Sequence, residues 1–143
     1  MRAAWDQLSG HNIFLILGSR PTPTPLSTLH PEPVQIFKFW QVYLDNANPL
    51  LKVIHAPSLQ ARIVEALGNL DSIDRTLEAL MFSIYSVAVM TLSVNDCQAL
   101  FGSTKDDLLR RYQFGSQQAL LNCEFLRSRE RDCVTALYLY IVS

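Results

Sequence analysis

The chain has 143 residues, 49% apolar and only 17% charged, with 12 Lys plus Arg against 13 Asp plus Glu. That hydrophobicity excludes a disordered chain, and the length suits one domain with a sizeable buried core. A formal net charge of -1 gives no bulk attraction for a polyanion such as DNA.

Residues 1–32 read as a segment apart. One turn of helix is expected around Trp5 to Leu8, and the apolar run Ile13 to Leu17 is too short for a secretory core. Pro21, Pro23, Pro25, Pro31 and Pro33, with Thr and Ser between them, predict an extended Pro/Thr-rich linker, because proline at alternate positions forbids helix.

From residue 33 to 143 helical periodicity takes over. Pro33 suits a first helical position, and Ile36, Phe39, Trp40, Tyr43 and Leu44 follow on one face, with a stop expected at Asn46 to Pro49. A shorter helix starts near Pro57 or Ser58, turns Leu59, Ile63, Ala66 and Leu67 inward, and ends at Gly68. The third runs from about Asp74 to Leu92. Leu77, Leu80, Met81, Ile84, Tyr85, Ala88 and Leu92 are apolar, and so are Phe82, Val87 and Val89 on the far side, so other helices should surround it. The uncharged stretch 79–94 is too short and too rich in Ser and Thr for a membrane span.

Two capping boxes follow. Ser93 with Asp96 opens a helix closed by Gly102, and Thr104 with Asp107 opens a longer one through Leu121. A last helix starts near Arg129 to Asp132 and is still running at Ile141, with no stop signal and no later element to cover Leu137 to Ile141. Trp40 and Tyr43 are expected to pack on the third helix around Leu80, Ile84 and Tyr85. The expected fold class is all-α: an array of antiparallel helices, the first part of a larger helical domain.

Chemistry is sparse. Cys97, Cys123 and Cys133 include no C-x-x-C pair and read as reduced thiols, and His11, His30 and His55 are isolated from one another and from paired carboxylates, so no metal site is expected. Asp106 and Asp107 fit a first helical turn, where the helix dipole favours negative charge. The run from Arg127 to Asp132 alternates in sign and reads as a solvated loop and helix start. Phe37, Phe39, Trp40 and Tyr43 form an aromatic row that suits a core better than a ligand groove. No nucleophile has a base beside it, and no Gly-rich phosphate loop occurs. A non-enzyme is expected, with no catalytic, cofactor-binding or metal-binding residue and no cofactor.

The run from His30-Pro31 through Trp40-Gln41, Tyr43-Leu44-Asp45-Asn46 and Asn48-Pro49-Leu50-Leu51-Lys52 to His55-x-Pro57 resembles the opening of the fungal-specific transcription factor domain. That domain is the middle homology region of fungal binuclear zinc-cluster regulators. Leu77 to Met81, Ile84-Tyr85, Cys97, Arg111-Tyr112, Gln117 to Leu120 and Phe125 to Ser128 are also similar to it. The resemblance covers residues 30–143 and implies a partial helical regulatory domain over 33–143, a role in transcription regulation, and a nuclear location. The family's six-cysteine zinc cluster is not in this sequence, so direct DNA binding by this chain is not expected. A protein partner or self-association through apolar helix faces is expected instead, in a soluble intracellular chain away from membranes. The alternative is a stand-alone helical module from a secondary-metabolite gene cluster that binds a protein or a small molecule, with the aromatic row as its pocket.

Overall fold

A computed structural model describes residues 26–52, 54–122 and 131–142, and among them secondary structure is helical throughout, with no strand. The turn expected around Trp5, the first prolines and the loop through Arg127 lie outside the described residues.

Helix α1, Pro33–Val42, begins with proline at its first turn and buries Ile36, Phe39 and Trp40. The expected stop at Asn46 to Pro49 does not occur. The chain passes through a π-helical turn, Tyr43–Ala47, into a short helix α2, Asn48–Leu51, and stops only at Lys52, which adopts a left-handed φ of 48°. Proline in a continuing helix lacks an N–H and presses on the carbonyl four residues back. The wider turn just before Pro49 relieves that clash, and the Asn48 N–H reaches the Tyr43 carbonyl instead. The turn is held from outside as well, because Asn46 Nδ2 donates to Thr91 Oγ1 at 3.2 Å.

Helix α3, Ala56–Ala66, carries Leu59 and Ile63 inward, and a 3-10 turn at Leu70–Ser72 leads to the central element. That element is α4, Arg75–Thr91, in which every residue from Thr76 to Val89 is buried. The Asp74 side chain caps it by accepting the Leu77 N–H at 3.2 Å. The Thr76 hydroxyl donates to the same carboxylate and holds it below the usual carboxylate range. Helices α5, Val94–Phe101, and α6, Lys105–Asn122, open at the two predicted caps: Ser93 Oγ accepts from Asp96 N–H at 3.1 Å, and Thr104 Oγ1 from Asp107 N–H at 3.2 Å. Gly102, at φ 67°, closes α5 in the left-handed conformation that glycine adopts without steric cost.

α4 packs against α1, the π turn, α6 and the last helix α7, Arg131–Val142. It runs antiparallel to α6. Lys105 Nζ at the start of α6 donates to the Met90 and Leu92 carbonyls at the end of α4, at 3.2 and 2.8 Å, and Arg75 at the other end reaches the Asn122 carbonyl at 3.5 Å. Small residues bring the two backbones together. A Cβ on Gly115 would stand 2.6 Å from the Phe82 ring, and one helical step on, Ser116 Oγ meets Ser83 Oγ at 2.6 Å.

Two further expectations are corrected. The linker does not stay extended up to Pro33: Leu26–Thr28 form a 3-10 turn, and Leu26, His30 and Pro31 are buried. The last helix is not left bare, because Ala136, Leu139 and Tyr140 are buried, while Val134 and Tyr138 face outward. It covers itself by lying on α4, an element that precedes it in the chain.

The α4–α6 seam makes Gly115→Ala costly: the methyl group would push the Phe82 ring out of place, an overpacking penalty of about 1–3 kcal/mol. Trp40 is 3% exposed, so Trp40→Ala should cost about 3–5 kcal/mol. Chemical denaturation of both variants measures this, and a Gly115→Ala protein as stable as the parent would show that the seam has slack.

Candidate ligand site at His30, Glu78 and Tyr85

Glu78, Phe82 and Tyr85 lie four and three residues apart on α4, so their side chains share one face of the helix. That face receives His30. The imidazole, with no exposed side-chain surface, stacks on Phe82 with ring centroids 4.3 Å apart and 29° between planes. Its Nε2 lies 3.2 Å from Glu78 Oε2, and its Nδ1 lies 3.1 Å from the Tyr85 hydroxyl. A carboxylate only accepts, so Nε2 carries the proton toward Glu78. Nδ1 then accepts from the Tyr85 O–H when the ring is neutral and donates to Tyr85 Oη when the ring is charged, because the hydroxyl can rotate to suit. Both ring nitrogens are thus satisfied in either state.

Tyr85 is the hub of an aromatic web. Its ring lies 5.4 Å from Phe39, 5.6 Å from Phe82 and 5.3 Å from Tyr112, and Phe39 stacks on Phe101 at 4.0 Å. Burial, the Tyr112 phenol and the Glu78 carboxylate push the Tyr85 hydroxyl well above its ordinary 10. The order hydroxyl–imidazole–carboxylate is that of a hydrolytic triad. Here the hydroxyl is enclosed and held neutral, with Tyr85 only 2% exposed, so a substrate has no approach to it.

A cleft of about 380 Å³ reaches Glu78. Leu26, Leu70 and Ile73 form its apolar walls, and Asp71, Arg75 and Asn122 stand at its polar side. A second cleft, about 360 Å³, lies across Ile73, between Arg62, Glu65 and Asp74.

The residues weighed from sequence lie elsewhere or play structural parts. Phe39, Trp40 and Tyr43 are buried while Phe37 is 41% exposed, so the row is not one groove. Phe39 also meets Tyr85; Trp40 is buried in the same core, stacks on Tyr43, and its Nε1 donates to Gln60 Oε1 at 3.0 Å. Asp106 and Asp107 are exposed in the first turn of α6, and exposed His55 bonds Ser58 at 2.6 Å. The Cys97 thiol is buried and pushed up by that burial, whereas the Cys123 and Cys133 side chains lie outside the described residues. Among the described residues no group of three potential ligands stands ready for a metal ion, and no helix is long and apolar enough to cross a membrane.

Sequence reading missed the His30–Glu78 pair, which joins residues 48 apart. The available signal was Glu78 itself: a carboxylate amid a continuous apolar helix needs a buried partner.

The comparisons point in one direction. The chain is 52% identical along its whole length to "Transcriptional regulator AacuB" of Aspergillus aculeatus. Over 90% of its length it is 51% identical to "Transcriptional regulator nsrM" of Aspergillus novofumigatus. It is 37% identical, again over 90%, to "Aurofusarin cluster transcription factor aurR2" of Gibberella zeae. The chain spans about one fifth of the length of these relatives, 20%, 18% and 19% respectively. No family model and no solved structure matches.

Burial raises the phenols of Tyr43, Tyr85, Tyr112 and Tyr140, Tyr43 to about 12 from an ordinary 10. Between those two pH values the unfolded chain gives up phenolic protons that the native state retains, so stability falls as pH rises through that window. Denaturation midpoints should drop steadily there, with tyrosinate absorbance and loss of helical circular dichroism appearing together. Titration of all the tyrosines near 10 with the helices intact would contradict this.

Proposed function

We propose that this chain is a helical regulatory region of a fungal transcription regulator, working through protein contacts and not through bases of its own reading. The observation that carries the proposal is similarity along the whole chain, at 52% identity, to a protein named as a transcriptional regulator. The resemblance of residues 30–143 to the middle homology region supports the finer assignment, with 33–143 as the regulatory unit and a nuclear site of action. Cysteine chemistry supports the division of labour: a binuclear zinc cluster of this family uses six cysteines, and this sequence has three, at 97, 123 and 133. Net charge agrees, because specific DNA binding draws on several Lys or Arg phosphate contacts and the chain carries a formal -1.

Protein contacts would use apolar side chains that the fold leaves outside. Val34 and Phe37 face outward from α1, and Val134 and Tyr138 from α7. Each pair is spaced to lie on one helical face.

A graft tests the reading. Replacing the matching region of the Aspergillus aculeatus regulator with this chain should preserve reporter transcription, while deleting that region should abolish it. In parallel, the purified chain should show no sequence-selective gel shift at physiological salt. Selective binding to duplex DNA by the chain alone would overturn the proposal, and so would a graft no better than the deletion.

A further inference from the structure

The slot that holds His30 is built from one helix. Glu78, Phe82 and Tyr85 all project from α4, and α4 owes its burial to α1, the π turn, α6 and α7. The receptor surface is therefore assembled by the helical array, and the strap Leu26–Pro31 lies on it with Leu26, His30 and Pro31 buried. The chemistry of the slot is specific for a flat ring with two nitrogens across it. An aromatic face lies at stacking distance, a carboxylate oxygen at 3.2 Å takes one N–H, and a hydroxyl at 3.1 Å serves the opposite nitrogen as donor or acceptor. A phenyl ring would leave both Glu78 and Tyr85 without that partner, and an ammonium group would forgo the stack. A cleft of about 380 Å³ borders the strap at Leu26 and the slot at Glu78, while the His30 side chain itself has no exposed surface.

We propose that the Glu78–Phe82–Tyr85 slot is a binding site for an imidazole-class nitrogen heterocycle, occupied in this structure by His30 as a tethered ligand. This goes beyond the regulatory reading and does not depend on it. A tethered ring competes at a high effective concentration, so a free heterocycle enters only when the strap lifts. The strap is then an autoinhibitory contact, and its release exposes a site formed by a carboxylate and two aromatic rings on the central helix.

Removing the tethered ring tests this. In the full chain, His30→Ala should have a lower melting temperature than the parent, and free imidazole at constant pH and ionic strength should restore it by several degrees, since a ligand that binds only the native state stabilises it. The parent protein should shift by less than one-third as much, its slot being filled. N-methylimidazole, which cannot offer both nitrogens, should restore less than half of the imidazole effect. The double variant His30→Ala/Glu78→Leu should lose the response. If His30→Ala does not fold, imidazole should bring back its helical circular dichroism. No response of His30→Ala in either form would overturn the proposal. Equal responses in the parent or in the Glu78→Leu double variant would overturn it too.

Discussion

Burial of α4 on every side is the constraint from which the rest of the structure follows. A helix with one apolar stripe can rest on a single neighbour, but Thr76 to Val89 leave no face for solvent. Four other elements must close around it, and α1, the π turn, α6 and α7 do so. Each neighbour meets a different set of side chains. α6 approaches through Gly115 and Ser116 against Phe82 and Ser83, while α1 brings Phe39 into the rings of Tyr85 and Tyr112. The exposed side chains of α1 and α7 are the outer surfaces of that wrapping, not a failure of it.

Enclosing a whole helix also encloses its polar groups, which must find partners inside. Ser86 Oγ donates to the Phe82 carbonyl one turn back at 3.2 Å, and Ser83 and Ser116 satisfy each other. Glu78 is the expensive member, since a buried carboxylate costs far more than a hydroxyl unless it is paired. His30 supplies the partner and with it a reason for the preceding segment to dock. Among the described residues, the Tyr43 hydroxyl at the start of the π turn and Asn48 Oδ1 just past its end are buried without a partner. The helix defect and the unsatisfied groups fall at one place, where the chain must accommodate Pro49.

What could be read from the sequence was what local chemistry decides. Asp74, Ser93 and Thr104 mark helix starts because their side chains act within three residues, and Gly102 marks a stop because its backbone does. The apolar girdle of α4 was equally legible, and it dictated a many-helix array. The errors came where distant contacts outweigh local preference. Asn46-x-Asn48-Pro49 has the composition of a stop, yet burial of Tyr43 and Ala47 and the bond from Asn46 to Thr91 keep the chain helical. Pro31 and Pro33 look like linker, yet the imidazole of His30 just before them finds Glu78 and Tyr85.

The α4–α6 pair has a mechanical consequence. Seventeen residues of α4 make a rod of about 25 Å. Lys105 clamps one end to α6, Arg75 ties the other, and the interlocked Gly115–Phe82 and Ser116–Ser83 contacts fix the register between them. Sliding α6 by one turn would drive the Phe82 ring from the glycine notch into a neighbouring side chain, so the two rods cannot shear. A push on the Asn122 end is therefore delivered to the Lys105 end as translation or tilt of the whole pair. The core behaves as a strut, and any movement the protein makes must be made by what is attached to it.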